Sequence, residues 1–198
     1  MSTAGTSKRP LDHFSRLTIT LICEPDEQGQ FLMRELQRTR ANVKQRWPPP
    51  ERIGGETDIV LCEYLPDLSS RYAWMPGEAT AASIVLLPQA GQYDMRMLQS
   101  ALPDAVIHRP YLSQSILTAL VIGWDHFSFA RRQRSRIGRL DENVRSLRDI
   151  ERAKMVIMLE KNISEYKAFN VLRDMAMERR ITIAALAATL VDTKQSVS

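Results

Sequence analysis

The chain has 198 residues, 44% of them apolar and 25% charged, with a formal charge of +4, which suits a globular protein of one or two domains. No apolar run approaches the roughly 20 residues of a membrane-spanning helix, and the polar start MSTAGTSKRPLDHFSR lacks the apolar core of a secretory signal. A disordered leader over residues 1–14, a cytoplasmic location and no membrane partner are therefore expected. The two cysteines, Cys23 and Cys62, then read as reduced, buried thiols more readily than as a disulfide.

Residues 17–23 (LTITLIC) are β-branched and nearly continuous in hydrophobicity, as a strand covered on both faces should be. Gln30 to Arg40 carries Phe31, Leu32, Leu36 and Thr39 at helical spacing. Asn42 to Trp47 is a weaker, polar strand halted by Pro48, Pro49 and Pro50, which cannot donate ladder hydrogen bonds. Residues 58–62 (DIVLC) and 83–87 (SIVLL) are the next strands, and 66–80, broken by Pro66, Pro76 and Gly77, allows only a short irregular helix between them. Tyr93 to Leu102 reads as a helix, and residues 104–108 (DAVIH) as a fifth strand. Strands alternating with helices predict an α/β, flavodoxin-like domain over residues 15–123, with a parallel sheet in the order 2-1-3-4-5.

From Ser113 onward the pattern is helical, and no proline follows Pro110. Ile137, Leu140, Val144 and Leu147 alternate spacings of three and four, the seam of a coiled coil over residues 124–147. Ala130 fits one heptad earlier, Gln133 fits poorly, and Gly138 weakens an isolated helix. The seam predicts a homodimer; the alternative is a helix packed back on its own domain. Residues 148–192 read as three helices around one small core, with Asn162 closing the first, Ser164 capping the second and Thr182 the third, and 193–198 as a tail. Ile157 and Leu172 belong to that core, and Tyr166 and Phe169 are expected there too. The charge is lopsided: residues 1–123 hold 12 Lys/Arg against 13 Asp/Glu, whereas 124–198 hold 15 against 10. A basic end suits an anionic partner such as nucleic acid, or simply a solvated helical surface.

The first domain resembles a phosphorylation receiver in frame but not in chemistry. Such a domain places an acidic pair after its first strand for Mg²⁺, an aspartate after the third, a hydroxyl after the fourth and a Lys-Pro after the fifth. Here Glu24, with Asp26 beyond a proline, follows the first strand. Glu63 stands at the acceptor, Pro88 at the hydroxyl and Arg109-Pro110 at the lysine. Glutamate is longer than the acceptor aspartate, proline has no hydroxyl, and arginine lacks the compact ammonium of lysine. Glu24, Glu63, Pro88 and Arg109 thus mark a degenerate phosphoacceptor site, with an Arg109 salt bridge to Glu63 or Glu24 as one way of fixing its state.

The tail RDIERAKMVIM (148–158), SEYKAF (164–169) and LRDMAMERR (172–180) resembles the ANTAR family of transcription antitermination regulators. Ala153-Lys154, Met158, Ala168 and Leu172-Arg173 match its pattern, and Met155 departs where many members have glycine. Trp47-Pro-Pro-Pro-Glu51 and Ala176-Met-x-Arg-Arg180 resemble the amidase-operon branch of that family. The resemblance implies an RNA-binding module that grips paired hairpins of a leader mRNA and keeps a terminator from forming, presented twice by a coiled-coil dimer. It also implies silencing by a partner similar to a solute-binding protein, released by a small ligand, with no cofactor. Lys154 with Lys161, and Arg173 with Arg180, are seven apart and so expected to share helix faces, Arg179 flanking them; these five are the candidate RNA contacts. Arg131, Arg132, Arg134, Arg136 and Arg139 are better read as solvating the long helix. Trp47 is either a rigid strand exit or an aromatic partner contact.

Two other classes compete. A DNA-binding response regulator would share the plan, but residues 164–192 show no convincing tight turn between two helices. An enzyme is disfavoured, because His13, His108 and His126 are scattered and no nucleophile motif or phosphate-cradling glycine loop occurs.

Overall fold

The computed structural model describes residues 13–88 and 93–195; the leader up to residue 12 and tail residues 196–198 lie outside the described residues. The strands fall where hydrophobicity is densest: β1 (Thr18–Ile22), β2 (Asn42–Gln45), β3 (Ile59–Glu63), β4 (Ala82–Leu87) and β5 (Ala105–His108). They form one parallel sheet in the order β2-β1-β3-β4-β5, the flavodoxin-like arrangement of receiver domains. Strands β1, β3 and β4 are buried almost throughout, and polar β2 takes an edge.

One face of the sheet buries Ile19, Leu21 and Ile84 against Leu32 and Leu36 of α1 (Glu27–Arg38) and Ile116, Leu120 and Phe127 of α4 (Ser113–Lys161). The other packs Val60, Cys62 and Val85 against Leu68 of α2 (Leu68–Arg71) and Leu98 of α3 (Met95–Ser100). Helix α1 starts three residues earlier than its apolar periodicity suggests, because Asp26 caps it: the Gly29 N–H donates to Asp26 Oδ1 at 2.7 Å. Phe14, placed in the expected leader, is instead fully buried in the turn Phe14–Arg16 ahead of β1.

The chain divides into two compact units, 1–131 and 132–198. Helix α4 is unbroken from Ser113 to Lys161, yet between Phe127 and Ala153 no residue is buried. Ile137, Leu140, Val144 and Leu147 are all exposed on that stretch.

In the second unit, α4 ends at Asn162, whose left-handed backbone (φ 50°) stops the helix. Next come α5 (Glu165–Arg179) and α6 (Ile183–Gln195); Thr193 is thus helical. Ser164 holds the N-cap position of α5 without a side-chain bond, whereas Thr182 Oγ1 accepts from the Ala185 N–H at 3.1 Å. The core is Ala153, Ile157, Ala168, Leu172, Ala176 and Leu186 with their neighbours, alanines letting the helices approach closely. Sequence suggested no tight turn here, but α5 and α6 are joined by residues 180–182 alone. Arg180 supplies the left-handed residue (φ 55°) a glycine would normally provide, and the Ile181 N–H reaches back to the Ala176 carbonyl at 3.1 Å.

Gly29 is the sharpest glycine steric constraint at the C-terminal end of the sheet among the described residues. A Cβ there would sit 2.0 Å from the Glu24 carbonyl oxygen, so backbone must move. Gly29→Ala is expected to lower stability by about 1–3 kcal/mol in urea unfolding, despite alanine's better helix propensity; unchanged stability would contradict this packing.

Candidate functional site

At the C-terminal ends of the strands Glu24, Gln28, Glu63, Tyr64, Pro88 and Arg109 line a cleft, so all four residues of the degenerate phosphoacceptor site come together. Arg109 dominates it. Its Nη1 donates to Asp26 Oδ2 at 2.5 Å and its Nη2 to Glu63 Oε1 at 2.7 Å. The Tyr111 ring lies 5.2 Å from the guanidinium carbon, within cation–π range, and the Tyr111 N–H donates to Gln28 Oε1 at 2.7 Å. The expected salt bridge to Glu63 is present; its second carboxylate is Asp26, not Glu24, which remains exposed. The capping turn explains the difference: Asp26 is held by the Gly29 N–H and turned toward β5. Sequence carried a partial signal for this, since Asp26 stands four residues after the end of β1 and immediately before a helix.

The charges suit one another. The hydrogen bond from Arg109 holds the Asp26 carboxyl below the usual carboxylate range, partial burial opposing it. For Arg109, burial pushes toward deprotonation, but the bonds to Asp26 and Glu63 outweigh it and raise the pKa. Next to them, burial above all pushes the thiols of Cys23 and Cys62 up to about 12. Both are free and buried, so neither is a ready nucleophile at neutral pH. Among the described residues, no three His, Cys, Asp or Glu side chains are set to hold a metal ion.

The helical unit divides the five candidate RNA contacts. Lys161, Arg173, Arg179 and Arg180 are exposed. Lys154 is not: it is 8% exposed, its ammonium held by Glu151 at 2.7 Å and Glu165 at 2.6 Å. Residue 154 adjoins core Ala153, so its stem is buried and only the charge emerges, between two carboxylates. Those bonds, Glu151 first, raise the Lys154 pKa. Lys154 thus shares no open face with Lys161; it ties α4 to the start of α5. Nor do Arg173 and Arg180 share a helix face, because Arg180 lies beyond the last turn of α5.

Tyr166 and Phe169, expected in the core, are exposed at 77% and 38%. Alanines at 168 and 176 let α5 pack on a different face. Trp47 is 42% exposed beyond edge strand β2. No helix among the described residues is long and apolar enough to cross a membrane.

Comparison with known proteins follows this division. The family model for the AmiR N-terminal domain matches residues 17–123, and the ANTAR domain model matches residues 138–191. No curated protein matches the chain. Among solved structures, the response regulator StyR is 12% identical, covering 88% of this chain and 98% of its own, with a TM-score of 0.49. Full-length FixJ from B. japonicum is 11% identical over 88% of this chain and 98% of its own, with a TM-score of 0.39. A Burkholderia pseudomallei response regulator with a phosphorylated aspartic acid is 15% identical over 86% and 96%, with a TM-score of 0.39.

Arg109→Ala leaves Asp26 and Glu63 facing each other without their cation. The pairs are partly exposed, so a loss of about 1–2 kcal/mol is expected rather than the larger cost of full burial. Because Asp26 has a lowered pKa, the stability it contributes is complete above the ordinary carboxylate range and vanishes as pH falls through its folded value. Urea unfolding should therefore separate wild type from the variant most at pH 7, and the gap should narrow as pH falls below the ordinary carboxylate range; equal stability at pH 7 would contradict the clamp.

Proposed function

Because the chain belongs to the AmiR-type ANTAR regulators, a family of RNA-binding antitermination regulators, we propose that it binds paired hairpins in a leader mRNA and prevents a terminator from forming. The observation that carries this reading is the ordered pair of family matches, AmiR N-terminal then ANTAR, over residues 17–123 and 138–191. Exposed Lys161, Arg173, Arg179 and Arg180 support it, since cations neutralise phosphates and arginine also hydrogen-bonds bases. We assign the four as RNA contacts and Lys154 as the residue that positions α5.

The rest of the reading concerns control. AmiR-type regulators are governed by partner proteins, and the first domain is proposed to take no phosphoryl group. Glu63 at the acceptor position is already bonded to Arg109, and Pro88 has no hydroxyl to hold a phosphoryl oxygen. A ligand sensor similar to a solute-binding protein is proposed to silence the chain, with half-exposed Trp47 as a contact. Exposed Ile137, Leu140, Val144 and Leu147 are proposed to pair in a homodimer, which would cover a stretch of α4 that buries nothing of its own. The cytoplasm is the corresponding location.

The tight α5–α6 turn keeps a helix-turn-helix DNA reader in play, and competition separates the two. Full-length protein should prefer stem-loop RNA to duplex DNA. Arg173→Ala with Arg180→Ala should weaken RNA binding and flatten its salt dependence; unchanged affinity removes them from the interface. Intact-mass measurement after treatment with a small phosphodonor and Mg²⁺ should show no phosphoprotein, and a phosphorylated species would overturn the silent receiver.

A further inference from the structure

Helix α5 turns a second face outward, distinct from the one it buries. Tyr166, Phe169, Arg173 and Met177 stand at i, i+3, i+7 and i+11, one stripe of a 3.6-residue helix. Tyr166 is 77% exposed and Met177 68%. None of the four belongs to the core that Ala168, Leu172 and Ala176 form beneath α5. Aromatic rings exposed on a helix forgo burial and have poorer helix propensity than leucine or alanine, so packing of this domain's core does not account for the stripe.

We propose that this stripe is the platform on which unpaired loop bases of the RNA stack. The inference rests on the RNA-binding reading above and adds the chemistry by which bases, rather than phosphates, are held. Aromatic rings and an arginine plane in succession are what splayed bases need, and methionine adapts to an irregular apolar surface. Arg173 is tied to its neighbour Asp174, Nη2 to Oδ1 at 3.0 Å. That pair is exposed and worth little in water, so a base or phosphate can displace the carboxylate. The surroundings favour a polyanion over a protein patch: residues 132–198 hold 14 Lys/Arg against 9 Asp/Glu. Arg179 and Arg180 stand at the C-terminal end of the stripe.

The test uses the full chain and a pool of RNA stem-loops with one fixed stem and a randomised loop, alongside the same stem closed as a blunt duplex. Tyr166→Leu and Phe169→Leu keep apolar bulk and remove the ring; both sites are exposed, and circular dichroism with thermal unfolding checks the fold. Each should weaken stem-loop binding about tenfold without altering the salt slope, because stacking releases no counterions. Arg173→Ala should lower both. A 2-aminopurine in a selected loop should be quenched by wild type and less so by the leucine variants. Wild-type binding matched by both variants would overturn the platform and leave the RNA reading standing. Weaker self-association at full RNA affinity would also overturn it, marking a protein interface. If wild type prefers no stem-loop over the blunt duplex, RNA-loop recognition itself fails, and the platform with it.

Discussion

A single guanidinium sets the character of the first domain. Arg109 leaves the end of β5 and bonds both Asp26, at the cap of α1, and Glu63, at the end of β3. In a working receiver these corners would answer to a metal ion and a phosphoryl group. Here a covalently attached cation bridges two carboxylates at the C-terminal end of the sheet, with tyrosine beside it. The domain keeps the architecture of a receiver while its own arginine occupies the carboxylates there, which is why control is proposed to come from what the domain touches.

The second domain shows a comparable economy. Its core is small and alanine-rich, which frees the larger side chains of α5 for the surface. Lys154 illustrates how position changes a residue's meaning. On sequence it is one more cation of a basic module; in the fold its charge is consumed by Glu151 and Glu165, which locks α5 to α4 and steadies the residues that follow. The left-handed cap at Arg180 likewise moves that arginine off the helix and into the turn before α6.

Much of the fold was legible in sequence because it depends on patterns the chain cannot hide. Continuous apolar runs separated by amphipathic stretches dictate a parallel sheet, and its order emerged as read. The degenerate corners were also legible, since four strand ends fix where receiver chemistry must stand. What sequence missed depends on helix phase. Tyr166 and Phe169 are apolar, but small neighbours at 168 and 176 rotate the buried face away from them. The Asp26 partnership was half legible: its place before a helix marks a cap, but no apolar pattern shows that the capped carboxylate also reaches Arg109. The short α5–α6 turn was hidden because an arginine occupies a place where glycine would have signalled it.

The central claim is that the helical domain acts on a nascent transcript. Single-round transcription through the 5′ leader of the chain's own messenger, with purified polymerase and increasing full-length protein free of any inhibitor, tests this most directly. Read-through past the terminator should rise with protein and revert when competing stem-loop RNA is added. Termination that stays constant while the protein occupies the transcript, or a transcript left unoccupied at moderate salt, would contradict it.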